Sequence, residues 1–386
     1  MPYIRRRSSM RARLLASICI AALALQPADA AVISYANGST DSTPYVLTDN
    51  STQLQVSGSG TATQAGAISE SGGSFGLEKT GSGTLILTGA NSYTGGTTIT
   101  GGALQLGNGG ASGAILGDVV NNGVLTFDRT GRLTLAGGIS GSGAVQQAGA
   151  DTTILAGDNT YSGGTTITGG TLQIGNGGTT GTLPSGTVVN NGILSFQRSD
   201  DVTLAGVISG TGAVRQIGSG TLTLTAAQTF TGGLTIDAGS VLLSGGGGIA
   251  TGPLTANGIF DFAAMSGNGV TVTTLDGTGT VATGGKTLTI LNGGTFSGTG
   301  TGTGAYILNG GTFSANGTLG NSLTLGNGAT LKGRGTVGGV TANSSSAVTP
   351  GNSIGTLNVA GNVGFAAGST YEVEVDNTGA SDRIAA

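Results

Sequence analysis

No histidine and no tryptophan occur in this sequence, and its one cysteine is Cys19. A Ser-His-Asp triad, a Cys-His dyad and a zinc site built on imidazole are therefore excluded. Charge is scarce as well: 14 Lys and Arg against 18 Asp and Glu, 8% of residues together. Nucleic acid or an anionic membrane as partner would need a basic stripe, and beyond the N-terminus none exists. Apolar runs after residue 30 are short, so no membrane-spanning helix is read there. What abounds is glycine, 79 residues or about 20%, against a usual ~7%. With 6 prolines the two types reach about 22%, under the ~25–30% of low-complexity disorder. The hydrophobic 37% falls in short, evenly spaced runs, so glycine reads as punctuation between strands.

The first thirty residues form a separate object. Arg5, Arg6, Arg7, Arg11 and Arg13 precede the apolar run Leu14 to Leu25, and Ala28-Asp29-Ala30 ends in an A-x-A pattern. Residues 1–30 are expected to be a cleavable signal peptide, cut before Ala31. Cys19 lies in the apolar run, after Ile18, which does not suit a lipoprotein site. Cleavage would leave a chain without cysteine, in a compartment that permits disulfides. It would also remove five arginines and one aspartate, taking the net charge from −4 to −8.

Self-similarity dominates the remainder. Tyr93 opens YTGGTTITGGALQLGNGG, Tyr161 opens YSGGTTITGGTLQIGNGG, and a weaker copy begins at Phe230. NNGVLTFDR at Asn121 returns as NNGILSFQR at Asn190, and GGISGSGAVQQAG at Gly137 returns from Ala205. These offsets agree on a period of about 68 residues, a size that marks an array. Within it, pieces such as LILT, TTIT, LQLG and GAVQQ recur every six to fourteen residues, bounded by Gly, Asn or Asp. Alternation with β-branched residues makes them strands, and the Gly and Asn positions supply turns.

Each strand carries two or three apolar side chains for one face, too few for a sandwich core. Stacking equivalent strands ~4.8 Å apart would join them into one continuous column. A hairpin sandwich or a propeller would also give regular strands. The expected fold is all-β, a parallel β-helix. Dividing the period by three predicts about 23 residues per coil, with coils grouped in threes, about 14 coils and a rod ~65 Å long. Equivalent Thr and Asn residues would then stack as ladders.

Glu78 to Gly107, EKTGSGTLILTGANSYTGGTTITGGALQLG, closely resembles the autotransporter-associated β-strand repeat, a K-x-G-x-G-T-L-x-L-x-G-x-N-x-Y-x-G-G-T-x-I-x-G-G-x-L-x-L-G run. A second copy, Ala144 to Gly175, has Gln147 for the lysine, and Ala150-Asp151 interrupts the glycine pair. The third, from Val214, has Gln216 for the lysine and Phe230 for the tyrosine. Val348 to Asp376, VTPGNSIGTLNVAGNVGFAAGSTYEVEVD, resembles the late passenger segment of autotransporters. Together these resemblances cover most of residues 78–386. They imply a right-handed parallel β-helix displayed on the surface of a Gram-negative bacterium or released from it. They also imply an outer-membrane translocator barrel as partner. A barrel would need a few hundred further residues, so the chain is expected to be a fragment, a truncated product, or a passenger that uses another exit. The implied organisation is a signal peptide at 1–30, an N-terminal cap and first coils at 31–76, the repeat array at 77–345, and the late-passenger segment at 346–386.

No catalytic, cofactor-binding or metal-binding residue is assigned. Glu372, Glu374 and Asp376 alternate and are expected to share one solvated face of a strand; Asp200-Asp201 follows Arg198 at an expected turn. GNGG at Gly107 and Gly175 has a faint likeness to the calcium nonapeptide, but no aspartate stands in register. Gly-x-Gly strings near Gly298 lack the strand–helix context of nucleotide sites. Tyr93, Tyr161 and Phe230 repeat with the period and are expected to pack between coils. The TTIT strands at Thr97 and Thr165 raise ice binding as a remote alternative, which would need T-x-T on one side of every coil. The expected function is a non-enzymatic surface passenger for adhesion, aggregation or contact with host or neighbouring cells. The rival is a β-helix that binds or cleaves polysaccharide.

Overall fold

The computed structural model describes residues 31–326 and 328–386; the expected signal peptide and Cys19 lie outside them. The described chain is all-β, without a helix, and its ladder neighbours run parallel. The coil has three faces, opened by the strands Val32–Tyr35, Thr40–Asp41 and Tyr45–Leu47. From there the chain winds through about 17 turns. At ~4.8 Å per turn the rod is about 80 Å long.

Coils are shorter than expected. Along the second face Leu85, Leu104, Leu125, Val145, Thr165, Val188 and Ile208 are successive register partners. Their spacing averages about 20 residues, at the short end for a solenoid and below the expected coil. One long period therefore holds roughly three and a third turns. The strand Thr84–Leu87 of the first repeat stacks in the second-face sheet, its counterpart Thr152–Leu155 in the third-face sheet, and Thr221–Leu224 in the first-face sheet. Each copy is rotated by one face, so coils are not grouped in threes. Nothing forces a repeat to close on a whole number of turns, because three similar faces each accept the same strand.

This rotation also overturns the expected ladders of equivalent residues. Tyr93, Tyr161 and Phe230 occupy three different faces and never meet. The ladders that exist join unlike positions of the repeat, such as Thr97 with Val119, or Val145 with Thr165. Most inward positions hold an apolar or β-branched side chain, and residues as different as Leu106, Phe127 and Gln147 succeed one another along one column.

A single core cluster runs along the axis from Tyr35 to Val359. No one strand would hold its two or three buried side chains out of water alone; the neighbouring coils do so. At the corner between the first and second faces the coil backbones nearly touch. A Cβ on Gly123 would lie 2.3 Å from the Gly102 carbonyl oxygen, and one on Gly143 would lie 2.2 Å from that of Gly123. Further along, the first and second faces merge into the long strands Thr318–Leu325 and Thr336–Ala342. Coils tighten there, as the closer spacing of the partners Leu288, Tyr306, Leu323 and Val340 shows.

Candidate functional surface

The polar signature of the repeat points inward. Lys79, fully buried, donates from Nζ to the carbonyls of Thr80 (2.8 Å), Gly81 (3.1 Å) and Gly101 (3.1 Å). Burial pulls its pKa down to about 8. In the second copy Gln147 donates to Gly149 and Asp151 at 2.9 and 3.1 Å, and in the third Gln216 donates to Gly218 and Gly220 at 3.0 and 2.9 Å. The two glutamines that depart from the lysine do the same work with a neutral amide: they satisfy turn carbonyls that face the interior.

Tyr93 and Tyr161 are buried, as expected, and each hydroxyl bonds a threonine four residues on: Thr97 at 2.8 Å and Thr165 at 2.7 Å. In the third copy both partners change, to Phe230 and Leu234, and the pair becomes wholly apolar. Losing one hydroxyl alone would strand the other in the core. Thr97 and Thr165 thus belong to the interior, and the outward Thr98 and Thr166 stand on different faces. The TTIT strands make no flat hydroxyl array.

The asparagine of the motif bridges coils where the strand ladder lapses. Asn91 accepts from Ile68 N–H and donates to Ala114 carbonyl, both at 2.9 Å. Asn159 accepts from Ile139 N–H at 2.9 Å and donates to Thr182 carbonyl at 2.7 Å. Gln228 takes this place in the third copy, accepting from Ile208 N–H at 2.6 Å.

Two arginines tie loop backbone to the rod, a role that the sequence did not single out. The first GNGG ends the strand Ala103–Gly110 after a register shift and leads into a loop at 111–113, and the second opens a loop at 175–181. Beneath the first, Arg129 donates to the carbonyls of Ala111 and Gly113. Beneath the second, Arg198 donates to Thr179 and Gly181, each at 2.5 Å, and pairs with Asp200 at 2.7 Å. In both loops the carbonyls that face the rod are held by a guanidinium. The signal was present: each arginine ends a repeated NNG…R segment, and the third loop, at 244–250, has neither. Replacing Arg198 by Ala should leave the rod folded but free the 175–181 loop. Amide exchange in that loop is expected to accelerate at least ten-fold, with strands on the opposite faces unchanged.

The carboxylates singled out in the sequence do not converge. Asp201 accepts from Thr221 N–H of the neighbouring coil at 3.0 Å, whereas Asp200 is taken up by Arg198. Glu372, Glu374 and Asp376 follow the two-residue strand Thr370–Tyr371 and are exposed, but they do not share a strand face as expected. Asp376 instead closes a turn, accepting from Thr378 N–H (2.8 Å) and Ala380 N–H (2.9 Å). The chain changes direction there because Gly379 takes a positive φ of 85°.

On one corner of the rod a groove of about 460 Å³ crosses successive coils, with Asp118 and Asp158 on its walls and Gly138 and Gly157 in its floor. Both carboxylates are already engaged: Asp118 accepts from Gly138 N–H at 2.9 Å, and Asp158 from Gly181 N–H at 3.1 Å. They stand two coils apart, about 10 Å along the axis. The groove is shallow and of mixed polarity, and none of the residues that line it is aromatic.

Comparison with known proteins agrees with the geometry. The passenger-associated-transport-repeat family model matches residues 77–106, 145–174 and 214–243. The adhesin BmaC autotransporter of Brucella suis biovar 1 (strain 1330) is 59% identical over 49 residues. That match covers 13% of this chain and 1% of the relative. No solved structure matches.

Proposed function

The chain being an autotransporter passenger that carries three passenger-associated transport repeats, we propose that it acts as a non-enzymatic adhesive rod. In this reading it is displayed on the surface of a Gram-negative bacterium and works through its flanks. One observation carries the reading: the distinctive polar residues of the repeat, Lys79, Gln147, Gln216, Arg129 and Arg198, are spent on the backbone of the rod itself. What faces outward is a long surface of Thr, Ser, Gln and Gly, suited to contact over area instead of chemistry at a point. The adhesin name of the relative supports the same reading. A translocator barrel is the partner this passenger would need, and a host or neighbouring cell, or its polysaccharide, is the surface it would meet.

Display of residues 31–386 from a heterologous barrel on a non-adherent cell tests the proposal. We expect display to raise attachment to host cells or to neighbouring bacteria several-fold. Cells that attach no better than those displaying an unrelated β-helix would sink it. The rival enzymatic reading would have to use the Asp118–Asp158 groove. Reproducible cleavage of acidic or neutral glycans, lost on Asp118→Asn or Asp158→Asn, would replace the adhesive reading with that one.

A further inference from the structure

Asparagine followed by glycine is a chemically labile step, and this sequence contains eleven of them. The glycine nitrogen can attack the asparagine side-chain carbonyl, an intramolecular reaction whose rate depends on how freely the two groups meet. In the body of the rod they are kept apart. Asn122 and Asn191 accept at Oδ1 from Ser142 N–H and Thr211 N–H of the next coil, both at 3.1 Å. The glycines that follow are held too: Gly123 and Gly192 donate to the side chains of Asn121 and Asn190 at 3.1 and 3.2 Å. Where an asparagine lacks such a bond, as at Asn268 and Asn292, the glycine is crowded instead. A Cβ on Gly269 or Gly293 would lie 2.1 or 1.9 Å from a carbonyl oxygen of the neighbouring coil.

The two GNGG segments differ from all of these. Asn108, Gly109 and Gly110 are exposed, as are Asn176, Gly177 and Gly178. A Cβ built on any of these four glycines would meet nothing within 4 Å beyond its chain neighbours. Among the described residues, no hydrogen bond engages the side chain of Asn108 or Asn176. What restrains these steps is the backbone around them. Gly177 N–H donates to the Gln197 carbonyl at 2.7 Å, and Arg198 holds the loop that follows through Thr179 and Gly181. Arg129 holds the loop after Gly110 through Ala111 and Gly113.

We propose that Asn108–Gly109 and Asn176–Gly177 are self-modification sites, at which the asparagine converts to aspartate and isoaspartate through a succinimide. Hydroxide takes the proton of the glycine N–H, and the nitrogen forms a bond to the asparagine Cγ. The Cγ–Nδ2 bond breaks, and the side-chain nitrogen takes up a proton from water and leaves as ammonia. Water then opens the ring at one of its two carbonyls. One opening gives aspartate; the other gives isoaspartate, whose main chain runs through the side-chain methylene. One water enters and one ammonia departs, without oxidant or cofactor. Each event adds one negative charge to an acidic rod. Arg129 and Arg198 act as brakes, because ring closure bends the backbone that they pin.

Incubation of residues 31–386 at mildly alkaline pH, followed by peptide mass spectrometry with isoaspartate detection, tests this. Conversion at Asn108 and Asn176 is expected to run at least about ten-fold faster than at Asn122 and Asn191, which react only after local opening. In urea the four rates should converge, since the fold is what separates them. R198A should speed conversion at Asn176 several-fold and leave Asn108 unchanged; R129A should do the reverse. Equal rates in the folded rod, or a ranking that persists in urea, would overturn the proposal. Arginine variants that convert at the wild-type rate would remove the braking role. Circular dichroism identifies a variant that fails to fold, and the wild-type ranking then decides alone.

Discussion

Gly143→Ala is expected to lower the stability of its coil by about 3 kcal/mol or more, the upper end of what overpacking costs. An added Cβ would lie 2.2 Å from the Gly123 carbonyl oxygen, which itself accepts from Ala144 N–H at 2.9 Å. Neither atom can move aside as a flexible side chain would; the coils must separate, and the bond that joins them is lost. Because each coil contacts its immediate neighbours, the damage should stay local. Amide exchange should speed up in Val124–Arg129, Ala144–Gln147 and Thr165–Ile167, with the coils beyond Leu254 unaffected. Gly110, whose added Cβ would meet nothing within 4 Å, provides the control: Gly110→Ala should be close to neutral. An equal effect at both sites would mean that glycine's backbone freedom, not close approach of coils, is what the corner requires.

Lys79 gives the second large effect, in its response to pH. Burial lowers its pKa to about 8 from 10.5, so between these values the unfolded chain binds more protons than the folded one. Stability must therefore rise with pH across this window. The full gap corresponds to about 3 kcal/mol, of which about 2 kcal/mol should be recovered between pH 7 and 9.5. Lys79→Gln copies the neutral solution found at Gln147 and Gln216 and should abolish the dependence. The readout is the difference between wild type and this variant in urea unfolding of the first coils, which cancels tyrosines that ionise in the unfolded chain near pH 10. Parallel curves from pH 7 to 9.5 would show that the three carbonyls around Nζ compensate the charge fully.

Several departures among the repeats become intelligible as physical substitutions. Phe230 replaces a tyrosine only together with Leu234 for the threonine that bonded its hydroxyl. Gln228 replaces an asparagine and still reaches across to Ile208. Read in one dimension, these changes resemble the blurring of an array. In three dimensions each preserves a buried requirement, either a satisfied hydrogen bond or a consistently apolar pair.

Composition and period by themselves determined that this chain is an all-β array of short strands, and made a parallel stack with one apolar column the expected arrangement over a sandwich or a propeller. Local rules suffice for that: β-branched alternation makes strands, glycine and asparagine make turns, and strands this short must share a core. The resemblance of Glu78–Gly107 to passenger repeats was equally legible. The tertiary structure decided what depends on closing the coil. It set the length of a turn, which does not divide the long period evenly, so that each copy advances by one face. It turned Lys79 and the arginines inward, onto carbonyls whose positions no sequence window reveals. It also stacked Thr280, Thr299, Thr318 and Thr336 into a column, because residues one turn apart become neighbours ~4.8 Å apart only once the turn length is known. Pitch is a property of three faces closing together, and no single strand carries it.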